Sequence, residues 1–226
     1  DAEGDMMQEA ALDPNYESLS WSDSDDYDQY VNEELEDSRS AKWVGLVSRL
    51  AGCSLEGKTV LDLGCGPGFF PCALGAEGAK VYGIDTSDNM LACARVNAEK
   101  HGVDAVMLHM DAESLSFPEA TFDLVVTRNV TWTLPNPVAA YRECLKVLKP
   151  GGKLLVFDAN WHHEFYSEVV AQKVRENEAA HYRKTGMRTA VCTNDKPYYD
   201  SLPLSSVVRP AWDADALAQV GFGGIT

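Results

Sequence analysis

An α/β fold, built on a mostly parallel sheet with helices on both faces, is predicted by three observations. Five short runs rich in β-formers recur between Lys58 and Asn160, and segments with helical periodicity or turn chemistry separate them. The first run, "KTVLDL", passes straight into the glycine-rich turn "GCGPG". A chain of 226 residues is long enough for one such domain with a substantial core, and too short for two comfortable ones.

Taken in order, residues 1–25 are acidic and polar with little periodicity, and are expected to be a partly disordered leader. From Tyr27 to Leu50 the large apolar residues Tyr30, Leu35, Trp43, Leu46, Val47 and Leu50 take helical spacing, so a helix precedes the sheet. The strands are then read as "KTVLDL", "AKVYGID", "DAVMLHMD", "FDLVVTRN" and "GKLLVFDAN". Residues 87–101 read as a helix that starts near Ser87 and Asp88 and stops before Gly102. A second helix spans 137–148, with Asn136 as its cap and Pro137 in its first position, and "LKPGGK" turns the chain into the fifth strand. Residues 161–210 are expected to form a helical cap or insertion: a long helix over 163–184, then the Pro-rich link "TNDKPYYDSLPLSSVVRP". "AWDADALAQVGF" reads as the last helix. The plan is a single domain over 26–226 with its core at 58–160. Its C-terminal strands are expected to be incomplete, because the chain stops at Thr226 in strand-like sequence.

The formal charge of -16 is concentrated at the front of the chain. Residues 1–38 hold fourteen Asp or Glu and no Lys or Arg, which leaves 35 minus 14, or 21, acids against 19 bases in the remainder. Such a leader repels phosphate backbones and anionic lipid, so neither nucleic acid nor membrane is the expected partner. The six cysteines, at 53, 65, 72, 93, 144 and 192, show no CxxC pair and no zinc spacing, and read as free thiols of a reducing compartment. No stretch approaches the roughly 20 apolar residues of a membrane span. The expectation is a cytoplasmic monomer or weak homodimer without a metal.

The loop "DLGCGPG" carries the chemistry. In an open α/β sheet, ligands gather at the carboxyl ends of the strands where the strand order reverses, and the loop after the first strand is the usual place. Glycines let backbone approach a ligand, and the following helix start offers free N–H groups. Gly64, Gly66 and Gly68 form GxGxG, with Phe69 where a dinucleotide fingerprint needs its third glycine, and no Gly-Lys-Ser/Thr follows to make a P-loop. A nucleoside ligand that need not carry a pyrophosphate remains. Asp85 ends the second strand, where an acid accepts hydrogen bonds from ribose hydroxyls. Asp111 ends the third, within reach of an adenine amino group. Asp62, inside the first strand, is read as orienting the loop through backbone N–H groups.

With "VLDLGCGPG", "GIDTSDNML", "MDAESLSFPEATFDLVVTRN" and "LKPGGKLLVFD" together, the chain resembles the class I S-adenosylmethionine-dependent methyltransferases, particularly the small-molecule type. The resemblance runs from about Lys58 to Asn160. It implies a Rossmann-like, doubly wound fold and S-adenosylmethionine as cofactor, with S-adenosylhomocysteine as product. By resemblance the glycine loop, with Cys65 as an unreactive filler, holds the methionyl part, and Asp85 with Thr86 the ribose. Met90 covers one face of the adenine, Asp111 and Ala112 meet its edge, and Asn129 lies beside the methionyl portion and the acceptor.

The reaction implied is in-line displacement at the methyl carbon by a small-molecule acceptor. "RNVTW" stands where enzymes that methylate nucleic-acid amines often carry Asn-Pro-Pro-Tyr, which again favours a metabolite. Trp132 and Trp161 follow the fourth and fifth strands and are expected to line the acceptor pocket, with Tyr27 and Tyr30. His162 and His163 are the candidate bases, each weighed against an ordinary packed or solvated histidine. The segment from Trp21 to Tyr30 is expected to close over the cofactor as a helical lid, the alternative being a helix packed on the sheet away from the site. A sensor or carrier that binds S-adenosylmethionine without catalysis is the alternative function. A nicotinamide dehydrogenase is disfavoured by the glycine spacing.

Overall fold

A computed structural model of the chain describes residues 24–185 and 196–226. Trp21 and Cys192 lie outside them, as does most of the acidic leader. Two helices open the described chain, α1 (Ser24–Glu36) and α2 (Ser38–Ala51), where sequence periodicity suggested one. Asp37 divides them: it is extended, and its carboxylate accepts from the Arg39 backbone N–H at 2.6 Å as the N-cap of α2.

The alternation then follows the sequence: β1 (Thr59–Leu63), α3 (Phe69–Ala76), β2 (Lys80–Asp85), α4 (Asp88–Lys100), β3 (Val106–His109), β4 (Phe122–Arg128), α5 (Pro137–Val147) and β5 (Leu148–Phe157). Ser87 caps α4 by accepting from Met90 N, and Asn136 caps α5 by accepting from Ala139 N. The sheet is parallel throughout, in the order β3-β2-β1-β4-β5. β1 therefore has β2 on one side and β4 on the other, and the strand order reverses beside it.

Successive β1 residues face opposite layers. Val60 packs with Phe70, Leu74, Val31 and Val47 from α1, α2 and α3, whereas Leu61 and Leu63 pack with Ala140, Cys144 and Val147 of α5. Helices thus cover both faces, as a buried parallel sheet requires.

Several boundaries differ from the sequence reading. β3 is limited to Val106–His109 at the sheet edge, and its last ladder bond runs from Met110 N to Asp85 O at 3.1 Å. β5 already begins at Leu148, and its register with β4 slips between Phe122 and Leu124, which absorbs the Pro150–Gly151 turn into the strand. After β5 a short 3-10 turn at His163–Phe165 precedes α6 (Glu168–Thr185), so the expected helix over 163–184 starts five residues late. α7 (Lys196–Asp200) and α8 (Ala211–Val220) complete the described elements. Gly221, at φ 118, ends α8 by donating to Leu217 O and Ala218 O, and residues 221–226 form no strand, contrary to the expected C-terminal strand. Among the described residues no helix is long and apolar enough to cross a membrane.

Candidate functional site

A cleft opens at the carboxyl edge of the sheet, over the switch point beside β1. Gly64 and Gly66 lie at its floor, Asp85, Thr86 and Met90 along one wall, and Asp111 with Ala112 at one end. Asn129 and Arg128 form the other wall, and Tyr27 of α1 reaches over it. Eight of the eleven residues expected to hold the cofactor line this cleft; Asp62, Cys65 and Gly68 do not.

The glycine loop is shaped by its neighbours as much as by any ligand. Gly64 stands at φ 72, and a Cβ there would lie 2.5 Å from a Val130 methyl, so β1 and the loop after β4 can meet only with glycine at this position. Gly68, at φ 92, precedes α3 and packs 3.1 Å, by its would-be Cβ, from the backbone of Ala94 on α4. Cys65 points away from the cleft into the core beside Gly83, and burial drives its thiol pKa well up, which fits an unreactive filler.

Asp85 fixes the loop. Its Oδ2 accepts from Gly66 N and its Oδ1 from Ser87 N, both at 2.9 Å, so the carboxylate is held rigidly with lone pairs left for a further donor. This is the role expected of Asp62, and the structure moves it to Asp85. No loop N–H among the described residues bonds Asp62. That acid is 3 % exposed, and its pKa is raised to about 8, chiefly by desolvation, with Arg128 opposing the rise and Asp85 adding to it.

Asn129 takes the left-handed conformation, φ 59, which Asn tolerates better than most side chains. Its N–H bonds Phe157 O at 2.9 Å, and its carbonyl accepts from Trp132 Nε1 at 3.1 Å. Asp111 Oδ1 accepts from Glu113 N at 2.8 Å, a turn bond that leaves Oδ2 at the cleft end.

The expected acceptor-pocket residues separate. Tyr27 is at the cleft, its phenol pKa raised to about 12 by burial, with Arg128 pulling it back. Tyr30 stacks on Tyr27 at 6.4 Å but faces the core behind it, with Arg39 over its ring. Trp132 is 6 % exposed and packs with Tyr199, Leu202 and Phe165 beneath the residues after β5, outside the cleft lining. Trp161 is at the surface, donating to Asp158 Oδ1 at 3.0 Å. His162 stacks on Tyr199 at 4.0 Å between centroids, and buried His163 has Nδ1 3.5 Å from Ser205 O. Neither histidine lines the cleft. No three His, Cys, Asp or Glu side chains among the described residues group as a metal site would require.

Two arginines were not singled out by the sequence reading. Arg128, the last residue of β4, donates from Nη2 to Glu34 Oε2 at 2.7 Å. Its guanidinium lies over the rings of Trp43, at 4.8 Å, and Phe69, at 4.7 Å. Arg209 joins Asp158, Asp213 and Thr131 in a buried cluster behind the Trp132 loop. The available signal for Arg128 was a cation ending an apolar strand.

The methyltransferase-domain family matches residues 61–156, the span that holds the glycine loop, Asp85, Asp111 and Asn129. Over that span the chain is similar to known methyltransferase domains, in keeping with its resemblance to the class I S-adenosylmethionine-dependent enzymes. A ubiquinone biosynthesis O-methyltransferase of Pseudomonas entomophila (strain L48) is 36% identical over 115 residues, 50% of this chain and 49% of that protein. The chain thus spans about half the length of the curated relatives it matches. A solved structure of a candidate methyltransferase from Bacillus halodurans C-125 aligns with TM-score 0.50 and 26% identity over 69% of this chain and 65% of that one. A candidate S-adenosyl-L-methionine-dependent methyltransferase from Methanococcus maripaludis aligns with TM-score 0.57 over 84% of this chain and 86% of that one, at 19% identity, which shows the fold alone.

The cleft's own geometry suits S-adenosylmethionine. Asp85 would accept from the ribose hydroxyls, Met90 and Ile84 offer apolar surface for the adenine, and Asp111 stands at its edge. At the opposite end, Arg128 Nη1 is buried with no hydrogen-bond partner among the described residues.

Proposed function

We propose that this methyltransferase domain moves the methyl group of S-adenosylmethionine to a small-molecule acceptor. The observation that carries this reading is the cleft itself: the loop after β1, Asp85, Met90, Asp111 and Asn129 line one continuous surface at the strand-order switch. When bound, the cofactor supplies an activated methyl on a sulfonium, so the chain's task is alignment and exclusion of water rather than a nucleophile of its own.

Asp85 would orient the nucleoside through its fixed carboxylate. Asn129 and the adjacent Thr133 and Leu134 line the cleft beyond the glycine loop, where an acceptor would approach. Trp132 supports that wall through its bond to Asn129 O rather than by facing the cleft. A base at His162 or His163 gains no support, since both rings are engaged in packing behind the wall. Relatives named as O-methyltransferases of ubiquinone biosynthesis put hydroxyl-bearing acceptors first in a screen.

Calorimetric titration with S-adenosylhomocysteine and with NAD tests the reading, because the first is expected to bind and the second is not. Asp85→Ala should cost about 1.5–3 kcal/mol of that binding, one to two decades in affinity, through the lost charge-assisted hydrogen bonds. Unchanged affinity in that variant removes Asp85 from the site. Incubating the protein and S-adenosylmethionine with a metabolite mixture should then yield a product heavier by one methyl replacement, and binding without any such product favours a sensor.

A further inference from the structure

We propose that Arg128 is the anion anchor of the cofactor cleft, taking the α-carboxylate at the methionyl end; this rests on the cofactor reading above. A guanidinium has five N–H donors in a fixed fork, well suited to a planar carboxylate. In Arg128, Nη2 is committed to Glu34 Oε2, while Nη1 is buried without a partner among the described residues. A buried donor left unsatisfied is costly, and such groups usually have a partner supplied from outside the chain or a functional reason.

The orientation of this group is fixed before any ligand arrives. Trp43 and Phe69 hold the guanidinium against their rings, and Trp43 Nε1 in turn donates to Glu34 Oε1 at 3.0 Å. Glu34 is 2 % exposed, and both its oxygens are engaged, so it cannot swing to cover Nη1 as well. Asp62, the other acid within the field of Arg128, makes no hydrogen bond to it. Position agrees with chemistry: Arg128 lines the cleft beside Gly64 and Asn129, at the end opposite Asp111. Tyr27 lines the same cleft, its ring 3.3 Å from where a Gly66 Cβ would stand.

Charge then explains why α1 belongs to the site. Glu34 keeps Arg128 from being an isolated buried cation, and Tyr27, on the same helix, closes the cleft above it.

The test compares three ligands by calorimetry on the full chain. S-adenosylhomocysteine carries the carboxylate, its decarboxylated analogue lacks only that group, and 5′-methylthioadenosine lacks the whole amino-acid end. Wild type should bind S-adenosylhomocysteine at least tenfold more tightly than the decarboxylated analogue. In Arg128→Gln/Glu34→Gln, which removes both buried charges together, that ratio should fall to within threefold while methylthioadenosine affinity is kept. Glu34→Gln alone, which leaves Arg128 in place, should keep the ratio. A wild type that does not discriminate, or a double variant that discriminates as well as wild type, overturns the assignment. If the double variant does not fold, as melting would show, the wild-type ratio and that of Arg128→Lys decide: equal affinities in wild type, or an undiminished ratio in the lysine variant, count against it. Failure of all three ligands to bind overturns the cofactor reading itself, whereas tight methylthioadenosine binding without any carboxylate preference overturns this inference alone.

Discussion

Asp62 and Asp85 are acids on neighbouring strands, the first inside β1 and the second at the end of β2, yet the fold uses them oppositely. Asp85 sits where two backbone N–H groups converge and is satisfied as a carboxylate, whereas Asp62 is enclosed without such donors, and burial raises its pKa to about 8. An acid whose folded pKa lies above its unfolded value, near 3.9, holds a proton in the folded state that the unfolded chain has released. Its effect is therefore to weaken the ligand-free fold as pH rises from about 4 to about 8. Asp62→Asn removes that dependence, so the melting temperature of the variant relative to wild type should climb between pH 5 and pH 8. A difference that is flat or falls over that range would show that Asp62 is already ionised in the fold. The sequence marked both acids, because a charge inside an apolar strand is conspicuous. It could not say which one holds the glycine loop, since that depends on the backbone path after β2.

At the scale of elements, α1 is joined to the glycine loop through one side chain of α4. Asn97 is 2 % exposed; its Nδ2 donates to Asp28 Oδ1 at 2.6 Å and to Pro67 O at 2.9 Å, and its Oδ1 accepts from Asn32 Nδ2 at 3.1 Å. The lid expected over Trp21 to Tyr30 is thus, from Ser24 on, a helix seated against α3 and α4 with Tyr27 at the cleft. Helical spacing reveals which residues of α1 are buried, but not that the neighbouring surface is the cofactor loop. Asn97 itself went unnoticed, its one signal being a polar residue three positions after Ala94 on an otherwise apolar face. Asn97→Ala leaves Asp28 and the Pro67 carbonyl without a donor, a cost of about 1–3 kcal/mol. For a chain of this size that corresponds to roughly 2–4 °C in melting temperature per kcal/mol. S-adenosylhomocysteine affinity should drop with it as the loop loosens. A variant that melts and binds like wild type would mean that α1 is held by its apolar contacts alone.

Across the whole molecule, the sheet and its glycine loop were legible because strand–helix alternation is written in local periodicity, and the loop in glycine spacing. The region after β5 was not, because its order comes from contacts between distant segments. Arg209 makes most of them: Nη1 pairs with Asp158 at 2.7 Å, Nη2 with Asp213 and Thr131 at 2.6 Å, and its backbone N–H donates to Asn160 Oδ1 at 2.7 Å. Tyr141 on α5 adds a bond to Asp213 at 2.6 Å, and Thr131 one to Asp158 at 2.6 Å. One guanidinium thereby joins the end of β5, the loop after β4 and the start of α8, behind the Trp132 wall of the cleft. Removing it strands two buried carboxylates, Asp158 and Asp213, which typically costs about 3–5 kcal/mol. Apolar packing cannot offset this locally, since α6 contributes no fully buried residue. Arg209→Leu should therefore loosen residues 161–185 and 196–208 while leaving the sheet and the cofactor floor in place. Limited proteolysis should cut the variant first within residues 161–185 or 196–208, with S-adenosylhomocysteine affinity within a few-fold of wild type. Equal resistance of variant and wild type in those residues, or a loss of cofactor binding as large as the loss of stability, would show that the cluster does not act on the residues after β5 alone.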